Sequence, residues 1–135
     1  MRGRLAGRAA HVRPGDIVVI KSRWEEHRSP KTPEFWTDAP YMSRAAADWL
    51  LERAPRAVAF DFPQDYTIRL LLQGEVRPLE EHVTHDVLLR NGVILIEYLS
   101  NTAALTAPRT FLWCLPLMVP DADGAPARVV ALEEI

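Results

Sequence analysis

The sequence predicts a mixed α/β fold, a mixed sheet with flanking helices, and three observations carry that expectation. Short apolar runs at Ile17–Ile20, Ala57–Phe60 and residues 93–97 have the length and β-branched content of strands. Helical patterns at 44–53 and 80–90 separate the first from the second and the second from the third. Two further apolar runs, 111–119 and 127–132, then follow as a hairpin-like pair around the turn Asp121-Ala122-Asp123-Gly124.

Each element has a local reason. Arg13-Pro14-Gly15-Asp16 is a turn, and the run that follows it is short enough to be a buried strand. From Lys21 to Tyr41 the chain is polar and aromatic, broken by Pro30, Pro33 and Pro40, which predicts a long loop carrying Trp24, Phe35 and Trp36. Ser43 is a good N-cap for the helix 44–53, whose Ala46 and Leu50 would face the core. The second strand runs straight into Asp61-Phe62-Pro63-Gln64-Asp65, where turn capping is the expected work of the two aspartates. Residues 70–79 contain Gly74 and Pro78 and predict a short helix or turn followed by a loop. His85 opens the next helical segment, Asn91-Gly92 ends it in left-handed conformation, and the continuous apolar run 93–96 predicts a strand covered on both faces. Residues 101–105 fit one helical turn, and Pro116 places the strand 111–119 at an edge or bulge.

At 135 residues the expectation is one domain spanning residues 1–135, without repeats or linkers. Composition is that of an ordinary soluble protein, 48% hydrophobic and 25% charged. A net charge of −2 leaves no footprint for nucleic acid, although Arg2, Arg4, Arg8 and Arg13 make the start locally basic. No apolar stretch approaches the ~20 residues that cross a bilayer, and no apolar signal-peptide core is present, so the expected compartment is the cytoplasm. The lone Cys114, between Trp113 and Leu115, reads as a small hydrophobe. Phosphate-binding glycine loops, a serine triad and zinc-finger spacing are missing from the sequence.

The chemistry-bearing pair is His85 and Glu97. A carboxylate at the carboxyl end of a strand is costly to bury unless it is paired or metal-bound, and α/β sheets place their ligands at those ends. The bland alternatives are a histidine bonded to nearby backbone and a glutamate paired with Arg90 or Arg128. His82 shares a helix face with His85 if the helix reaches that far. It and Asp61 are candidates to support a ligand from behind.

Several segments, in order, resemble the cyclase family of metal-dependent hydrolases, which includes bacterial kynurenine formamidase and isatin hydrolase. They are Arg13-Pro14-Gly15-Asp16-Ile17-Val18-Val19-Ile20, Trp24, the helix ending in Trp49-Leu50, Ala59-Phe60-Asp61, His85 with Glu97 twelve positions on, Leu115-Pro116-Leu117, and Asp123-Gly124-Ala125-Pro126-Ala127-Arg128. The resemblance covers the chain from about Val12 onward. It implies a swivelling β/β/α fold, a metal role for His85 and Glu97 with zinc or manganese, and Trp24 lining the pocket of a small-molecule substrate whose amide or lactam bond is cleaved. It also implies a homo-oligomer. The family's N-terminal motif, His-x-Gly-Thr-His-x-Asp-x-Pro-x-His, has no counterpart here, since His11, His27, His82 and His85 are the only histidines. The chain therefore reads as the C-terminal portion of such a domain. It would act with a chain supplying the missing motif, or serve as a non-catalytic assembly partner or remnant, with uncovered apolar edges favouring association.

Overall fold

A computed structural model of the chain describes residues 12–133, so Arg2, Arg4, Arg8 and His11 lie outside the described residues. The chain divides into two compact units, one ending at Ser100 and the other beginning at Asn101.

The first unit is built on a three-stranded parallel sheet in the order β1-β2-β3, with β1 Ile17–Ile20, β2 Ala57–Phe60 and β3 Ile94–Ile96. Register runs Ile17↔Ala57 to Ile20↔Phe60 on one side of β2 and Ala57↔Ile94 to Ala59↔Ile96 on the other. The central strand is buried at every residue, as its unbroken apolar sequence requires. The third strand differs from its expectation: it lies at the sheet edge and Ile94 is 54% exposed, so an apolar run of this length did not guarantee cover on both faces.

Between β1 and β2 lie a 3-10 turn at Trp24–Glu26 and the short helices α1 (Glu34–Thr37) and α2 (Arg44–Leu51). The predicted loop thus contains two helical turns. Ser43 caps α2 as expected, its Oγ accepting from Ala46 N at 3.3 Å. Ala46, Ala47 and Leu50 of this helix pack with Val58, Phe60, Phe62, Val87, Leu88 and Val93 in one core cluster. Between β2 and β3, α3 (Ile68–Leu71) and α4 (Val83–Val87) are joined by a loop and flanked by 3-10 turns at Leu79–Glu81 and Leu89–Asn91. The single helix expected over 80–90 is therefore three pieces, and His85 sits in the middle of α4 instead of opening it. Of Asn91-Gly92, Gly92 alone takes the left-handed conformation, at φ 81°.

In the second unit, β4 (Phe111–Pro116) and β5 (Ala127–Leu132) pair antiparallel from Phe111↔Leu132 to Pro116↔Ala127. Both strands of such a ribbon are edges, which accommodates Pro116 at the end of β4. Thr106 Oγ1 and the Thr106 and Ala107 amides donate to the Glu133 carboxylate. Arg128 is on β5.

Candidate metal centre

Because all three strands of the first unit are parallel, their carboxyl ends emerge at one side of the sheet. Ser22 follows β1, residues 61–65 follow β2, and Glu97 follows β3. The segment after β2 is the organiser: Asp61, Gln64 and Asp65 are all buried.

Asp61 takes up work that the sequence did not anticipate. Its carboxylate accepts from Ser22 N at 2.9 Å, Ser22 Oγ at 2.6 Å and Arg23 N at 2.8 Å, so it caps the chain leaving β1. Those bonds hold Arg23 in a left-handed conformation at φ 61° just ahead of Trp24.

Asp65 is the carboxylate at His85. Its Oδ1 accepts from Thr84 N and its Oδ2 from Thr84 Oγ1, each at 2.8 Å. His85 Nδ1 lies 2.8 Å from the same Oδ2, and the Asp65 side chain is fully buried. The other ring nitrogen of His85 faces Glu97, with Nε2 3.9 Å from Oε1. About a third of each of these two side chains is exposed, so the pair is open to solvent on one side. Glu97 in turn accepts a hydrogen bond from Gln64 Nε2, while Gln64 Oε1 is buried without a partner. Arg90 bonds Asp86 at 2.8 Å and lies 3.8 Å from Glu80, so this one of the two arginines expected as partners for Glu97 is engaged elsewhere.

Electrostatics follow from these contacts. The hydrogen bond with Asp65 raises the His85 pKa above 6.5; burial opposes that shift, and the negative charges of Asp65 and Glu97 add to it. Tyr98, next in sequence to Glu97, has its phenol pushed up to about 12, mainly by burial and then by the neighbouring carboxylates of Glu97 and Asp65. Its backbone is left-handed at φ 58°, a conformation that costs a non-glycine residue ~1–3 kcal/mol.

His82 Nδ1 lies 2.8 Å from Thr67 Oγ1, and its ring is 6.1 Å from that of His85. Trp24 is partly buried against the core, with Nε1 donating to Phe35 O at 2.8 Å and Arg28 over its ring at 5.9 Å. Trp36 meets Tyr98, the residue after Glu97, edge-on at 5.2 Å and Phe35 at the same distance. Sequence reasoning passed over Gln64, Trp36 and Tyr98; the adjacency of Tyr98 to Glu97 was the one available signal.

His85 Nε2 and Glu97 suit a divalent ion. A ligating imidazole characteristically gives its other nitrogen to a carboxylate, the arrangement Asp65 provides. Three protein ligands are the usual complement of a catalytic site. Among the described residues no group of three or more His, Cys, Asp or Glu side chains is placed to hold an ion, so the pair fits as two of the ligands and not as a whole set.

The family described as "Putative cyclase" matches residues 4–64. Among solved structures, the chain is similar to a potential metal-dependent hydrolase with cyclase activity, at 29% identity and TM-score 0.65, over 90% of this chain and 52% of that one. It is also similar to a predicted metal-dependent hydrolase from Bacillus stearothermophilus, at 28% identity and TM-score 0.66, over 91% and 52%. No curated protein matches. The findings support the cyclase family for this chain, in agreement with the ordered motifs and with the mixed α/β architecture. The chain spans about half the length of the two solved structures, and His85 and Glu97 lie beyond the segment that the family matches.

Proposed function

We propose that this chain contributes to the metal centre of a cyclase-family hydrolase that cleaves an amide or lactam bond of a small, aryl-bearing substrate, as an arylformamidase does. The observation that carries the reading is His85, held through Nδ1 by the buried Asp65 and presenting Nε2 to Glu97 at 3.9 Å. Zinc or manganese bound there would act as a Lewis acid, polarising a carbonyl and acidifying water near neutral pH. His85 and Glu97 would hold the ion, Gln64 would orient Glu97, and the edge-on pair Trp36–Tyr98 would offer an aromatic surface beside it, with Trp24, earlier in the same segment, as the expected pocket wall. The remaining ligands would come from a second copy of the chain or from a chain carrying the histidine-rich motif, in the cytoplasm.

A second reading, a non-catalytic assembly partner, is favoured by the donor count, since the described residues bring only two good ligands together. Calorimetric titration of zinc and manganese into the purified chain, with His85→Ala and Glu97→Ala beside it, separates the two. Binding that both substitutions abolish, followed by turnover of formyl aryl amides, supports the hydrolase. Weak binding indifferent to both substitutions would leave the assembly reading standing.

A further inference from the structure

The neighbouring residues Gln64 and Asp65 each reach one member of the pair: the Gln64 amide donates to Glu97, and Asp65 engages His85. Both are buried, and neither is a ligand candidate. An ionised aspartate can only accept hydrogen bonds. A neutral His85 that bonds it must therefore donate through Nδ1, which leaves the lone pair on Nε2, the nitrogen facing Glu97. Thr84 strengthens the constraint, because the carboxylate that holds the ring also holds the backbone amide and hydroxyl of the preceding residue. Ring and helix are held by one group: two bonds from Thr84 fix the Asp65 carboxylate, and an imidazole that swings away gives up its bond to it. His82, by contrast, meets a threonine hydroxyl, which donates or accepts with equal ease and imposes no tautomer.

We infer that Asp65 is a positioning residue that locks His85 in the Nδ1–H tautomer and turns its Nε2 lone pair toward Glu97, with Gln64 holding Glu97 opposite. The inference rests on His85 and Glu97 being the metal-binding pair, but its central claim is testable without metal. The measurement is long-range proton–nitrogen NMR of the imidazoles in the metal-free protein, at a pH where His85 is neutral, with the His85 signals identified by their loss in His85→Ala. The expected result is a protonated Nδ1 and an unprotonated Nε2.

Asp65→Asn should reverse this, because its carboxamide can donate to Nδ1 while its oxygen still accepts from Thr84. The protonated nitrogen becomes Nε2, and zinc affinity falls roughly 10–100-fold. Thr84→Val removes one structural bond to Asp65 yet leaves the tautomer unchanged, a contrast that a purely structural role would not produce. An Nε2-protonated His85 in the wild-type protein overturns the inference, and that result does not depend on any variant folding. A tautomer and a zinc affinity both unmoved by Asp65→Asn would overturn it equally. If the wild type shows the Nδ1–H form, Asp65→Asn reverses it, and zinc binds neither protein, then Asp65's hold on His85 is supported and the metal reading fails.

Discussion

Replacing Asp61 with alanine should destabilise the first unit by an amount the structure allows to be worked out. The carboxylate is 1% exposed at the residue level and accepts from two backbone amides, Ser22 N and Arg23 N, and from Ser22 Oγ. Alanine leaves those donors without their acceptor, and each buried donor so stranded costs about 1–3 kcal/mol. The hydroxyl can rotate to another partner, so the two amides dominate. Water reaching these part-buried groups draws the total to the lower half of the range, ~2–4 kcal/mol. A domain of this size holds only about 5–15 kcal/mol in all, so the loss is large. Urea unfolding followed by far-UV circular dichroism reads it as a lower midpoint at constant slope. Ser22→Ala, which removes only the hydroxyl donor, should cost about 1 kcal/mol. If Asp61→Ala lost less than about 1 kcal/mol, the claim that this carboxylate fixes the chain leaving β1 would be wrong.

The raised pKa of His85 gives a pH dependence with a defined sign. The protonated ring is favoured in the folded state by Asp65 and Glu97, with the His82 ring beside it, so its contribution to stability is full below 6.5 and is lost as pH rises through the raised folded pKa; urea midpoints across that window should fall in the wild type and stay flatter in His85→Ala. The phenol of Tyr98 should resist deprotonation until about 12, measured by near-ultraviolet absorbance titration against Tyr98→Phe; titration at the ordinary tyrosine value would show that burial and the two carboxylates do not act as described. Leu50→Ala opens a cavity at a side chain 1% exposed in the core cluster and should cost about 2–5 kcal/mol in the same urea assay, while Leu72→Ala, at a residue 57% exposed, should stay within about 0.5 kcal/mol.

The parts of the fold legible in the sequence were those in which local signals and burial agree. Ala57–Phe60 reads as a strand because four consecutive apolar residues are buried by neighbours on both sides, and it occupies that span. Ser43 announces the start of α2 because its oxygen satisfies an amide of the first turn. Position within the sheet is a different kind of information. Residues 93–96 are as apolar as the central strand, yet strand order is set by long-range pairing, and β3 lies at the edge with Ile94 exposed. The same limit applied at the candidate centre. His85 and Glu97 could be singled out from residue type and spacing, but their supports, Asp65 and Gln64, are 20 and 33 positions away from the groups they hold. Asp61 and Asp65 look alike on paper, and only the paths of the chain after β1 and before α4 send one to Ser22 and the other to His85.

Parallel pairing explains why this small sheet can gather such groups. Every strand ends on the same side, so three chain exits must be turned and held along one edge of the sheet, each about 5 Å from the next. At β1 the turn is held by Asp61, and at β2 by the Met42 amide, which donates to Gln64 O at 2.8 Å. At β3 the chain leaves the ladder for Glu97 and Tyr98 and returns to it where Leu99 N donates to Phe60 O at 2.7 Å. The left-handed Tyr98 makes that interruption, at a backbone cost of ~1–3 kcal/mol that extended geometry would have avoided. Strain of this kind persists only where surrounding contacts over-determine it, and here those contacts are the Leu99 bond, the Trp36–Tyr98 edge and the Gln64 hold on Glu97. The distortion falls at the residue that follows Glu97, the strand-end carboxylate that lies 3.9 Å from the His85 ring.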